Sequence, residues 1–145
     1  MASAPPKWIL KAITNTHVFL YRLSKGKIGS TMIGFPVLLL TTTGRKSGLQ
    51  RTTPVVYVPD GDSYLIAASN SGADRHPVWF LNLESKPEAL IQVDGKVSKV
   101  AAEITGEGER AQLYERFEAQ GDNFVQYQQN TQRPIPVIRL KPSPA

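Results

Sequence analysis

The feature that most constrains this chain is that its strands arrive as consecutive hairpins. Thr52–Val58 is a β-rich run closed by Asp60-Gly61, and Ser63–Ala68 follows as its partner. Ala89–Val93 meets Lys96–Thr105 across Asp94-Gly95 in the same way. Asp-Gly between apolar runs is a strong short-range hairpin signal, because the favoured turn needs positive φ there. Val37–Thr43, ending at Gly44, precedes them, and Ile135–Leu140 reads as a final strand. Hairpins in series pair antiparallel, whereas a doubly wound sheet alternates strands with helices. The expectation is an α+β chain, mainly β: an antiparallel sheet or barrel with peripheral helices.

The helices are fewer. Residues 7–25 read as an N-terminal helix carrying Trp8, Ile9, Ile13 and Leu20, followed by a connector marked by Gly26, Gly29 and Gly34. Pro77–Leu83 reads as a short helix with Pro77 near its start and Pro87 stopping it. Glu107–Ala119 is amphipathic, with Leu113 and Phe117 as its buried stripe. Asn123–Gln132 is a polar stretch bearing aromatics. Residues 1–27 are expected to be an N-terminal helical extension, and residues 28–145 the single core domain.

Composition excludes several chemistries. The 145 residues include no cysteine, so disulfides, thiolate metal sites and a cysteine nucleophile are out. Only His17 and His76 are present, which argues against a histidine-built metal site. The longest apolar run, Phe35–Leu40, is too short to span a bilayer, and no signal-peptide core follows Lys7. A cytoplasmic location is expected. The net charge of +5, from 17 basic against 12 acidic residues, invites an anionic partner without choosing among nucleic acid, membrane headgroups and a polyanionic small molecule.

Charge placement narrows the choice. Thr41 to Arg51 forms a loop between two strands in which Gly44 and Gly48 frame Arg45, Lys46 and Ser47, with Arg51 beyond. Glycines let backbone N–H groups cradle an anion, arginine offers a planar fork and lysine a point charge. The spacing is not that of a P-loop. A solvated basic turn is the plain alternative. A second feature is Ala67 to Phe80, where a strand ends in small residues and a glycine-bearing loop leads into a helix. Small residues admit a flat ring, and the helix start favours an anion; alternatively Trp79 and Phe80 are simple core packing. His76 is a candidate acid or base, while Asp74 and Arg75 suit a cap. Phe124 and Tyr127, among Gln126, Gln128 and Gln129, suit either an acceptor pocket or helix packing.

The run PVLLLTTTGRKSGLQRTTPV (Pro36 to Val55), then IAASNSGADRHPVWFLNL (Ile66 to Leu83) and the closing RPIPVIRL (Arg133 to Leu140), resembles the deazaflavin-dependent nitroreductase and quinone reductase family from about Ile28 onward. The resemblance implies a split β-barrel related to flavin-binding split barrels. It implies coenzyme F-420, an 8-hydroxy-5-deazaflavin with a phosphate and a polyglutamate tail, as cofactor. Family members reduce quinones and in some cases nitroimidazole prodrugs, are concentrated in actinobacteria, and in part associate with membranes.

By that resemblance Arg45, Lys46, Ser47, Gly48 and Arg51 form the phosphate loop. Pro54, Ala67, Ala68 and Ser69 lie along the deazaflavin, with Val78 and Trp79 closing the site. Ser69 and Tyr127 are the residues placed against the acceptor. Asn70, beside the cofactor, stands where a nitroreductase member has lysine. Tyr127 is retained from a tyrosine-rich segment in which Gly121 and Phe124 occupy other matched positions.

The implied activity is hydride transfer from the reduced coenzyme to a quinone-like or nitroaromatic acceptor. The alternatives are an FMN-dependent reductase on the same barrel and a non-catalytic deazaflavin carrier. No recognised nucleic-acid motif is present. Residues 1–25 suit either an anionic membrane surface or the mouth of the barrel.

Overall fold

The computed structural model describes residues 31–32 and 35–143. The expected helix at residues 7–25, the extension to residue 27 and the connector at Gly26, Gly29 and Gly34 lie outside the described residues. The strands are β1 (Thr31–Met32), β2 (Phe35–Thr43), β3 (Gln50–Asp60), β4 (Ser63–Ala67), β5 (Glu88–Val93), β6 (Lys96–Ile104) and β7 (Val137–Pro142). The helices are α1 (Val78–Ser85), α2 (Glu107–Glu118) and α3 (Asp122–Gln129), with a 3-10 turn at Asn70–Gly72.

The described strands pair antiparallel in the order β1-β2-β3-β4-β7-β6-β5, and β2 pairs again with β5. That second pairing, Leu39 opposite Gln92 and Leu40 opposite Ile91, closes six strands into a barrel. Closure explains why β2 reads as an almost unbroken apolar run. Leu38 and Leu40 join Val55, Ile66, Ile91, Val100, Ile138 and Leu140, drawn from all six strands, in the interior cluster. Phe80 and Leu83 of α1 complete that cluster.

The opposite strand face is buried as well. Val58, Leu65, Ala67 and Val137 pack under Leu113, Tyr114 and Phe117 of α2 and Phe124 of α3. The hydroxyl of Tyr114 donates to the Phe124 carbonyl at 2.6 Å, which ties the two helices together. Burial raises the pKa of this phenol, in keeping with a neutral donor.

Both hairpins form. Asp94 and Gly95 have φ of 50° and 82°, as a turn with two positive-φ positions requires. In the first hairpin the two central residues are Gly61 and Asp62, because Asp60 pairs with Ser63, and Gly61 takes the positive φ of 60°. Two expectations shift. Asn123–Gln132 is largely α3, whose inward side is disguised by Gln128: this residue donates to the Arg133 carbonyl at 2.9 Å and accepts from the Ile135 N–H at 3.0 Å. The last strand starts at Val137, not Ile135, because Pro134 and Pro136 have no N–H to enter a ladder.

Candidate functional site

The loop between β2 and β3 is shaped by two glycines. The N–H of Gly44 donates to the Leu49 carbonyl and the N–H of Gly48 to the Gly44 carbonyl, each at 2.8 Å. A Cβ at Gly44 would fall 2.6 Å from Ser47 Oγ, and Gly48 sits at φ +71°, so both places favour glycine. Arg45, Lys46, Ser47, Gly48 and Arg51 are all exposed. Among the described residues Arg45, Lys46 and Arg51 form no ion pair, and the N–H groups of Lys46 and Ser47 have no partner. By contrast, Arg116 and Arg139 are occupied by Asp60, Glu103 and Glu109, and Lys141 by Glu103. Asp60 and Arg51 lie at opposite ends of β3, so the acid that holds Arg116 and Arg139 is remote from the loop.

The loop is fastened from inside. Asn82 of α1, 2% exposed, accepts from the Arg45 N–H at 3.1 Å and donates to Thr42 Oγ1 at 3.1 Å. Beside them Thr41 and Thr52 share a hydrogen bond of 2.7 Å between their hydroxyls.

A cleft of about 210 Å³ opens on the outer face of β3 and β4. Pro54 and Val56 of β3 and Ala67 at the end of β4 line it, followed by Ser69, Asn70 and Ser71. Trp79 of α1 and Phe124 and Tyr127 of α3 also line it. Small or rigid groups on one side and aromatic rings on the others suit a flat ring system, and Ser69, Asn70, Ser71, Asn123 and Tyr127 are the polar residues of the lining.

The segment behind the cleft is held by Arg133. Its nitrogens donate to the carbonyls of Ala73 at 2.9 Å, Ala68 at 3.2 Å, Ser69 at 2.9 Å and Arg75 at 3.2 Å, and Nη1 lies 3.2 Å from His76 Nδ1. A guanidinium only donates, so His76 Nδ1 accepts and the neutral ring carries its proton on Nε2. Burial first, then the Arg133 charge, holds the pKa of His76 below the ordinary imidazole value. The ring also packs at a tilt of 49° against Phe80, with centroids 4.6 Å apart. This geometry makes His76 a neutral structural acceptor.

The structure therefore brings Pro54, Ala67, Ser69, Asn70, Trp79 and Tyr127 to one cleft. Ala68, one residue beyond β4, turns the other way and is fully buried among the interior residues, because its N–H bond to the Pro136 carbonyl carries the strand's alternation one residue further. Val78 is 67% exposed and outside the lining. Arg45, Lys46, Ser47, Gly48 and Arg51 form the separate basic loop. Asn70 spends its amide across its own turn, donating to the Arg75 carbonyl at 3.1 Å. Gly121 makes room for Phe35, whose ring would lie 2.9 Å from a Cβ there.

Sequence reasoning missed Arg133 and Asn82. The available signals were a polar residue inside the apolar stretch Val78–Leu83 and an arginine set just before two prolines.

The model of a family described as F420H(2)-dependent quinone reductase matches residues 13–142. An F420H(2)-dependent quinone reductase of Mycobacterium tuberculosis is 40% identical over 128 residues, 86% of each chain. The solved structure of an F420-H2 dependent reductase superimposes with a TM-score of 0.67 at 32% identity, covering 73% of this chain and 94% of that one. The heme storage protein HutZ of Vibrio cholerae, at 12% identity and a TM-score of 0.58 over 91% of this chain and 92% of that one, shares the fold alone. A family match over nearly the whole chain, with a relative this similar along most of its length, is membership: the chain belongs to the F420H(2)-dependent quinone reductase family.

Proposed function

We propose that the chain binds reduced coenzyme F-420 and directs its hydride to a quinone-like or nitroaromatic acceptor held in the cleft. The observation that carries this reading is that one helix joins two sites. Helix α1 anchors the basic loop through Asn82 and lines the cleft through Trp79. A coenzyme with an anionic phosphate and a flat ring needs both at a fixed separation. The residues present fit it: at the loop, cations and amides without a partner among the described residues, and Pro54, Ala67 and Trp79 along the cleft.

The coenzyme, when bound, supplies the hydride-donating carbon. Arg45, Lys46, Ser47, Gly48 and Arg51 bind its phosphate. Pro54, Ala67 and Trp79 flank the ring, with Asn70 bordering it and Val78 standing at the margin, while Ala68 faces the interior. Phe124 and Trp79 keep water from the reacting face. Ser69 and Tyr127 donate hydrogen bonds to an acceptor oxygen as it gains negative charge. The proton comes from solvent, since His76 is committed to Arg133.

Anaerobic oxidation of the reduced coenzyme by a soluble quinone, followed by absorbance, tests this. Ser69→Ala is expected to lower turnover about tenfold or more. Wild-type rates in both Ser69→Ala and Tyr127→Phe would remove the two hydroxyls from the mechanism.

No described helix is long and apolar enough to cross a membrane. The mixture of Trp8, Ile9 and Phe19 with Lys7, Lys11 and Arg22 supports contact with an anionic membrane surface, close to lipid quinones. Liposome co-sedimentation unchanged by deleting residues 1–25 would discard that contact.

A further inference from the structure

Arg133 lies between α3 and β7 and is outside the cleft lining, so it touches neither ring nor acceptor site. Its guanidinium nevertheless collects four carbonyls, from Ala68, Ser69, Ala73 and Arg75, and the Nδ1 of His76. A guanidinium has five N–H groups in a fixed fork, and here five acceptors meet them. All five belong to one segment, residues 68–76. An ammonium, with three donors on a single point, cannot reproduce that set.

The segment needs such a clamp. Inside it Asn70, Ser71 and Gly72 take φ of 47°, 55° and 83°, three left-handed residues in succession. For the two that are not glycine this costs about 1–2 kcal/mol each. Carbonyl dipoles gathered on one side also repel unless a cation lies among them. On the other flank Gly72 is pressed against α3, where a Cβ would come within 2.9 Å of the Tyr127 carbonyl. The Thr131 hydroxyl donates to Asp74 at 2.8 Å and accepts from the Arg133 N–H at 3.3 Å, closing the arrangement at its base. The turn so held carries Ser69, Asn70 and Ser71 into the cleft.

We propose that Arg133 is a positioning residue of the reaction: its clamp on residues 68–76 fixes Ser69 against the cleft, and the acceptor is aligned only while the clamp is closed. This rests on the reading of the cleft as the acceptor site. The clamp acts through Ser69, so its effect on turnover depends on the serine hydroxyl being present.

Two measurements on the full chain decide the proposal. Hydrogen exchange read by mass spectrometry compares wild type with Arg133→Lys. Protection is expected to fall in the peptide spanning residues 69–76, with the barrel strands unchanged. Unchanged protection there, or a uniform loss everywhere, overturns the clamp. If the lysine variant does not fold, His76→Leu removes one of the five acceptors and is read in the same peptide, where no change overturns the clamp equally.

The second is a double-mutant cycle on kcat/KM for a soluble quinone. Arg133→Lys is expected to cost about tenfold in the wild-type background and under about twofold in Ser69→Ala. Equal losses in both backgrounds, or none in either, overturn the positioning role. If wild type does not bind the coenzyme at all, the proposed function fails while the exchange result still decides the clamp.

Discussion

The backbone N–H of Arg45 donates to the buried side-chain oxygen of Asn82 at 3.1 Å, which fastens the basic loop to the helix bearing Trp79. Asn82→Ala removes this bond and the one to Thr42, leaving a buried hydroxyl short of its partner. The expected cost is about 1–3 kcal/mol in chemical denaturation, and coenzyme affinity falls in parallel. Lost stability with unaltered affinity would mean that Asn82 packs the helix without setting the loop.

Arg51 behaves differently because it is exposed and unpaired among the described residues. Arg51→Gln is expected to leave the melting temperature unchanged within error, since surface changes of this kind lie within about 0.5 kcal/mol. It should flatten the dependence of coenzyme binding on added salt, because one screened contact is gone. A melting-temperature drop of several degrees would assign Arg51 to the fold instead.

The two positive-φ glycines of the site are expected to respond unequally to alanine. At Gly48, φ is +71° but the space around a Cβ is open, so Gly48→Ala carries only the backbone strain of about 1–2 kcal/mol. At Gly72, φ is +83° and the Cβ would also meet the Tyr127 backbone at 2.9 and 3.0 Å. Gly72→Ala should therefore be the more destabilising in urea denaturation, and it should impair turnover as the turn leaves α3. Equal stability losses would show that α3 yields freely.

Stability should also depend on pH through His76. Its folded pKa lies below the ordinary value of about 6.5, through burial and then Arg133, opposed by Glu84. As pH falls below about 6.5 the unfolded chain binds a proton that the folded chain refuses, so stability drops until the folded pKa is passed. Above about 6.5 this contribution is constant. The groups against the ring are Arg133 and Phe80, with Asp74 acting on Arg133. His76→Asn keeps an acceptor for Arg133 and removes the titration, so the part of the slope that begins below about pH 6.5 and belongs to the ring should vanish in urea denaturation. Asp60, whose pKa is lowered by Arg139 and Arg116, and Glu103, lowered by Lys141 and Arg139, act in a lower window. Their stabilisation is present above ordinary carboxylate values and is lost as pH falls through their folded ones.

Much of the fold was legible because its signals are local. Asp94-Gly95 sets a two-residue turn by backbone conformation alone, and Leu113 with Phe117 marks the buried side of α2 by spacing. Closure of the barrel was less so, since it joins Leu39 to Gln92, far apart in the chain. Helix α3 was obscured because Gln128, a polar residue, does the inward work of a core position.

The site divides in the same way. The loop from Gly44 to Arg51 announces itself by glycines and cations in one stretch. Ala67 and Ala68 cannot both face the cleft, and strand alternation selects Ala67. Arg133 and Asn82 were hidden because they bind main-chain groups remote in sequence, which no side-chain pattern records.

The most direct test is fluorescence titration of the purified full chain with coenzyme F-420, with FMN in parallel, at low and physiological salt. Selective, saturable binding of the deazaflavin is expected, weakened about tenfold or more in an Arg45→Ala/Lys46→Ala double variant of unchanged stability. Binding of FMN alone, or deazaflavin binding indifferent to both substitutions, would contradict this reading.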